Sequence, residues 1–375
     1  MAAVSVRGTA ARRWALVVLV GVLLVASPAI VAAVSPTSAT ADPADLRARI
    51  AASADQPWTG YAESRAGLSL PRIPQLADVT TLLSGTTRMR GWYAAPNSSR
   101  TDVLSAVGER DRYVTPQGQA VWDYGAELLT LVARDPLIRL PRPDDLLPPS
   151  LARRLLAGTA PTDPATALPS RRVAGVDAAG VRIDVADPET TVAALEIWAD
   201  PVTGLPVAAD VIPRGATAPV LSTAFGELEQ GPPDPAALEP RRGVGAGLTR
   251  SPTSDLFGVL GRGPGDTLPA TLAGRDRTPP QRGFRALGGY GTTLSQVIAV
   301  PLPPDLAGSL LQGIARAGAG RTVPVDGQAV ALETPLLALA VVRTGDAGRA
   351  WAVAGLIGPD VVDRAAADLV AGGRP

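Results

Sequence analysis

The chain has 375 residues, with 35 basic and 35 acidic side chains, zero formal net charge, no cysteine and no histidine. It also lacks lysine, so every basic residue is arginine. Imidazole bases, thiolate nucleophiles, ordinary zinc or copper sites and Schiff-base chemistry are thereby excluded, and dispersed arginine on a neutral chain is a poor match for nucleic acid.

Carboxylates, hydroxyls, tyrosine and arginine remain. A paired-carboxylate hydrolase is conceivable, but an aromatic content of 4% supplies few sugar platforms. Composition therefore favours a binding protein over an enzyme, with no cofactor and no metal. The 39 glycines and 37 prolines fall largely in loop-like runs and, with the arginine bias, reflect a GC-rich genome rather than a function.

Arg7, Arg12 and Arg13 precede an apolar run from Trp14 to Ala26, which Ser27-Pro28 breaks and small residues follow. A basic n-region, an apolar h-region and a small-residue exit predict an export signal. Ala39-Thr40-Ala41 offers a cleavage site, late for a signal of about 15–30 residues. Trp14 to Val34 also matches the ~20 residues that cross a bilayer. Cleavage and retention as a membrane anchor over residues 14–34 both stay open, so residues 1–41 read as signal peptide or anchor. A lipid-modified N-terminus is excluded for want of a cysteine. The remainder is expected outside the cytoplasm, in a periplasm-like space, secreted or on the cell membrane, and must hold its fold without disulfides.

Asp42-Pro43-Ala44-Asp45 opens a helix, with Asp42 as N-cap, Pro43 at N1 and Leu46 and Ile50 on its apolar face. Pro57 to Tyr61 ends it and starts a strand running to about Leu70, and Leu76–Leu83 reads as a second helix. From Thr86 the period becomes two. Strands are predicted over Thr87–Ala94, Arg100–Val107, Arg110–Thr115 and Gln119–Val132, separated by turn-forming clusters. Pro141–Pro149 reads as a loop and Leu151–Ala157 as a helix. Strands resume over Arg171–Val176, Gly180–Ala186, Val192–Ala199, Leu205–Ile212 and Val220–Leu228, with a hairpin turn at Asp200–Gly204. Successive strands on short turns imply an antiparallel sheet curled over its few helices.

Gly231–Pro235 marks a boundary. The expected division is residues 42–234 as a curved-sheet domain, 235–252 as a Gly/Pro-rich linker and 253–375 as a small α+β domain. In the last, strands are predicted at Leu268–Leu272 and Leu294–Val300, a helix at Asp305–Ala317, a hairpin of Leu336–Arg343 with Arg349–Leu356, and a closing helix at Val361–Val370.

The order of features resembles the MucB/RseB proteins, whose larger domain shares the curved-sheet fold of the LolA/LolB lipoprotein carriers. The likeness rests on the first helix followed by Trp58-Thr59-Gly60-Tyr61. It continues with Arg88–Trp92, Arg100–Val103 and Gln119–Tyr124, and with Val173–Gly175, Val192–Trp198 and the hairpin Asp200–Pro206. Tyr290–Leu294, Trp351–Pro359 and the helix Val361–Leu369 carry it to the C-terminus. Gly91, which interrupts a strand, Thr292 and the composition of the linker depart from the pattern.

The resemblance implies an α+β fold: a large antiparallel half-barrel sheet wrapped over helices, plus a smaller α+β domain. It also implies a non-enzymatic regulator of an extracytoplasmic sigma factor that binds the extracytoplasmic part of an anti-sigma factor and senses an apolar ligand or lipoprotein. Ligand entry would then shift the two domains across the linker. The alternative is a lipid or lipoprotein carrier in the cell envelope, with the same cavity and no signalling partner.

Trp58, Tyr61, Trp92, Trp122, Tyr124 and Trp198 are the large groups most able to line a cavity beneath the sheet, and equally able to fill a core or cover a sheet edge. Gly243–Gly247 follows no strand and reads as linker rather than a phosphate loop. Asp144-Asp145 reads as a solvated loop with Arg139 and Arg142 nearby. Arg153-Arg154 and Arg171-Arg172 read as exposed charges, and Asn97-Ser98-Ser99 as a turn.

Overall fold

The Asp42 carboxylate accepts hydrogen bonds from the amides of Ala44 and Asp45, at 2.9 and 3.1 Å, and so starts helix α1 (Pro43–Ala52). The computed structural model describes residues 39–70, 77–105, 108–132, 136–251, 253, 256–261, 268–316, 318, 320–344 and 348–372. The apolar run proposed as signal or anchor lies outside them. Among the described residues no helix is long and apolar enough to cross a membrane. The described residues from Thr40 onward belong to one compact unit.

Strands β1 (Trp58–Ala66), β2 (Thr86–Ala95), β3 (Ser98–Ser105), β4 (Gly108–Thr115), β5 (Gly118–Asp123) and β6 (Leu128–Val132) form a meander. Strands β7 (Ala165–Val173), β8 (Val176–Asp184), β9 (Val192–Ala199), β10 (Pro206–Pro213) and β11 (Leu221–Gln230) form a second one. β1 pairs antiparallel with both β2 and β11, which joins the two meanders. A twelfth strand, β12 (Gly247–Ser251), pairs in parallel with β6. The sheet is open, with β12 and β7 as its edges.

Antiparallel pairing holds from Trp58 to Gln230, as the sequence predicts. The stretch expected as a linker carries a strand of its own. The single strand expected over Gln119–Val132 is a hairpin. Its turn is set by the Asp123 carboxylate accepting from the amide of Ala126 (3.0 Å) and by Glu127 at φ 49°. β7 begins before Arg171, because Pro169 falls at a register shift on an edge strand, where its missing N–H costs no ladder bond.

α1 and α3 (Pro148–Ala157) cover one face of β7 to β11. Leu46, Ile50, Leu151 and Leu155 meet Ile183, Leu195, Ile197 and Val211 in the main core. Gly204, at φ 72°, lets the β9–β10 hairpin approach α1 so closely that a Cβ there would lie 2.5 Å from the Arg49 carbonyl. The short helix α2 (Ala77–Leu83) lies before β2.

After the short helix α4 (Leu256–Leu260) come a small hairpin (β13, Thr271–Leu272, with β14, Arg275–Asp276) and a 6-stranded antiparallel sheet. The latter comprises β15 (Gly288–Tyr290), β16 (Val297–Leu302), β17 (Gly320–Thr322), β18 (Gly327–Glu333), β19 (Ala338–Thr344) and β20 (Ala350–Gly355). Alternate residues of β19 face different helices. Ala340 and Val342 pack with α6 (Pro359–Gly372), whereas Val341 packs with α5 (Pro304–Arg316).

The loop between β8 and β9 fixes this small sheet to the large one. Glu189 O accepts from the amide of Gly358 (3.0 Å), and Thr191 N donates to Leu356 O (3.1 Å). The Thr190 hydroxyl donates to the same Leu356 carbonyl (2.7 Å), and Ser295 Oγ donates to Asp187 (2.6 Å).

Candidate functional site

Register defines which side chains share a face. Met89 and Gly91 on β2 lie opposite Val103 and Thr101 on β3. These lie opposite Arg110 and Arg112 on β4, and the sequence continues to Val121 on β5 and Thr130 on β6. Met89 belongs to the main core, so this is the face that α1 and α3 cover further along the sheet. Neither helix is among the walls of the space beneath β3 to β6. The face borders a cavity of about 390 Å³, walled by the loop Leu140–Asp144, by Asp78 and Val79 of α2, and at the sheet edge by Ser251 and Thr253. A second hollow of about 410 Å³ adjoins it through Val103, Arg110 and Asp123. Either volume falls within the roughly 300–1,000 Å³ usual for small-molecule sites.

Val79, Val103, Val121, Leu128 and Val132 make the cavity mainly apolar. Several of its charged groups form ion pairs. Arg110 holds Asp123 at 2.8 Å and approaches Asp78 at 3.7 Å, while Arg112 donates to Gln119 and lies 3.8 Å from Asp144. The hydrogen bond from Arg110, with amide donors in the turn, holds the Asp123 carboxyl below its ordinary pKa. Such a surface suits an apolar body with a few polar anchors.

The loop wall is held by Asp145, which the sequence reading placed in solvent. It is buried, accepts two bonds from Arg139 (2.6 and 2.7 Å) and one from the Arg142 amide (2.9 Å), and lies 3.1 Å from Arg154. Burial pushes its carboxyl up, but the arginines and the amide outweigh this and hold it below the ordinary value. Arg153 also departs from the exposed reading. It donates to the Ser53 carbonyl (3.2 Å) and lies 5.9 Å from the Tyr93 ring, and burial lowers its pKa.

The six aromatic candidates are not among the side chains bordering this cavity. Trp58 faces the helix side but is core, 2% exposed, stacked on Tyr93 at 5.8 Å and edge-on to Phe225 at 5.0 Å. Gly91, the interruption noted in the sequence, makes room for it: a Cβ there would lie 2.6 Å from the Trp58 ring.

Tyr61, Trp92, Trp122 and Trp198 fall one register position away, on the opposite face. Tyr61 donates to Glu63 (2.8 Å), and Trp92 lies under the Arg100 guanidinium at 4.8 Å. Trp198 donates to the Pro169 carbonyl (3.1 Å) and carries Arg171 over its ring at 4.0 Å. Trp122 is buried with Tyr113, Leu129 and Ala246 and meets Tyr124, itself 48% exposed, edge-on. The sequence reading missed the cavity residues Val103, Arg110, Arg112, Val121 and Thr130. In β4 arginines alternate with Asp111 and Tyr113, a pattern that names no inner side.

Asp102, Glu109 and Asp111 bring carboxylate oxygens within 4.8 Å of one another on that opposite face. Arg100 already bridges two of them, so the cation there is a guanidinium.

No family model matches the chain, and no curated protein matches it. Among solved structures it is similar to MucB in complex with MucA(peri), at 15% identity and a TM-score of 0.47, covering 87% of this chain and 97% of that one. The MucA/MucB complex of Pseudomonas aeruginosa gives 15% identity and a TM-score of 0.46 over the same shares, 87% and 97%. A LolA superfamily protein from Nitrosomonas europaea gives 9% identity and a TM-score of 0.25, covering 54% of this chain and 99% of that one.

Proposed function

We propose that the chain is an exported, non-enzymatic binding protein whose cavity beneath β3 to β6 takes an apolar ligand. In this reading, ligand occupancy regulates its hold on the extracytoplasmic part of an anti-sigma factor. The observation that carries the reading is the mainly apolar cavity of about 390 Å³ beneath the half of the sheet that α1 and α3 leave uncovered. The ordered sequence resemblance to MucB/RseB proteins supplies the partner class, and MucB itself has been solved with MucA(peri). Because the β8–β9 loop ties the two sheets together, ligand would act through the cavity walls, namely the Leu140–Asp144 loop and Ser251 and Thr253 at the sheet edge. A ligand shifts such an equilibrium only by its preference for one arrangement.

Native mass spectrometry of gently purified protein tests the ligand arm, and co-purification with the extracytoplasmic segment of a neighbouring single-span anti-sigma factor tests the partner arm. Bound lipid together with lipid-dependent release of that segment is the expected result. Lipid binding with no such partner would favour the carrier alternative, and an empty cavity indifferent to added fatty acid would defeat both.

A further inference from the structure

On the face away from the cavity, Asp102 of β3 and Asp111 of β4 are directly opposed across the ladder, with side chains 3% and 0% exposed. Among the described residues, Arg100 alone bridges them. Its Nε and Nη2 donate to the two Asp102 oxygens at 2.6 and 2.8 Å, and Nη2 also reaches Asp111 Oδ2 at 2.9 Å. The Tyr113 hydroxyl donates to the same Asp111 oxygen (3.2 Å), while Asp111 Oδ1 is buried with no hydrogen-bond partner among the described residues. The charged and titratable groups facing the pair are Arg100, Glu109, Tyr113, Tyr124 and, opposite Asp102 on β2, the exposed Arg90.

Two buried carboxylates bonded to one guanidinium, with Arg90 held out in solvent, leave negative charge uncompensated inside the cluster, and like charges opposed across a ladder repel. Holding one proton between them removes that charge. Burial is the largest influence on both acids and raises both. It carries Asp102 to about 7, with Arg100 opposing and Asp111 adding to the rise.

The same cluster lies under the segment that follows β11. Arg100 Nη1 donates to the Ala237 carbonyl (3.5 Å), and a Cβ at Gly243 would lie 3.6 Å from the Trp122 ring. Ala246 is buried with Tyr113 and Trp122. This connector then becomes β12 and brings Ser251 and Thr253 to the cavity wall.

We propose that Asp102 and Asp111 form a one-proton site through which the pH of the compartment sets how firmly the connector is held to the sheet. With the proton in place, Arg100 balances the remaining charge and keeps its bond to Ala237. When the proton leaves to water, Arg100 is drawn onto two carboxylates, and the contacts over Tyr113 and Trp122 loosen. Because the folded chain binds this proton more tightly than the unfolded chain does, the site favours folding at acid pH. That contribution is lost as pH rises from the ordinary aspartate value of about 3.9 towards about 7.

The test is a pH titration of tryptophan emission on the whole exported chain, since Trp92 and Trp122 adjoin the site. Hydrogen exchange across residues 235–251, corrected for intrinsic rates, is measured alongside at about pH 6 and about pH 8. An emission transition near neutrality that is lost in Asp102→Asn, with connector exchange at least about threefold faster at the higher pH, supports the proposal. If Asp102→Asn does not fold, Asp111→Asn and the wild-type exchange data decide. A flat titration with pH-independent exchange overturns it. So does a transition retained in both asparagine variants, or one that requires calcium and vanishes with a chelator.

Discussion

The two halves of the large sheet share one strand pattern and differ in what lies on it. In the β7–β11 half, the face under α1 and α3 is filled by Ile183, Leu195, Ile197 and Val211, which the helices cover with Leu46, Ile50, Leu151 and Leu155. In the β3–β6 half, the same face carries Thr101, Val103, Arg110, Arg112, Val121 and Thr130, covered by a proline-rich loop and a short helix. A meander supplies the surface; whether it becomes core or cavity depends on which elements pack against it. Packing is thereby concentrated in one half and open space in the other.

The sharpest test of that division is a pair of truncations. Trp58→Ala should cost about 3–5 kcal/mol in urea unfolding, the usual price of an aromatic lost from a core. Val121→Ala, on the cavity face, should cost less than about 1 kcal/mol. Equal losses would mean that the β3–β6 half is packed after all.

Asp145→Asn should cost about 3 kcal/mol, because it strands the largely buried Arg139. The wild-type carboxyl is held below its ordinary value. Its stabilisation is therefore complete above the unfolded value of about 3.9 and is lost as pH falls through the native one. Unfolding in urea should accordingly show a smaller acid sensitivity in the variant than in the wild type.

Val121→Trp should fill the cavity and weaken binding of a fatty-acid probe by at least about tenfold, or about 1.4 kcal/mol. Its thermal midpoint should stay near that of the wild type. Undiminished binding would place the ligand elsewhere.

The smallest effects belong to the opposite face. Trp198→Phe should cost about 1 kcal/mol, through one hydrogen bond and a weaker arginine contact. Tyr124→Ser should fall within about 0.5 kcal/mol. Neither should change probe binding, and a loss in either would return the aromatic residues to the site.

The sequence made the fold legible where local chemistry determines it. Asp42 and Pro43 announce α1, Asp200–Gly204 announces the β9–β10 hairpin, and Val192–Ala199 matches β9 residue for residue. The hairpin within Gln119–Val132 was hidden because its turn uses Glu127 at positive φ rather than glycine. β12 was hidden because its pairing with β6 is a long-range parallel contact inside a stretch of linker composition. The site was less legible than the fold. The aromatic residues do alternate with their neighbours, but alternation alone does not say which side faces the helices, and one register position separates cavity from exterior.

The central position of β1 has a consequence for the order of assembly. Trp58 is among the first residues of the sheet to be synthesised, yet it pairs with Gln230 on one side and Tyr93 on the other. A chain synthesised N-terminus first can build the β1–β6 meander early. Until β11 arrives, the other edge of β1 presents unpaired amides and carbonyls, an edge on which another chain can pair. So long a separation between partners also slows closure of the sheet. The interval between delivery of β1 and delivery of β11 is thus the stage of biogenesis at which this chain has most need of a chaperone.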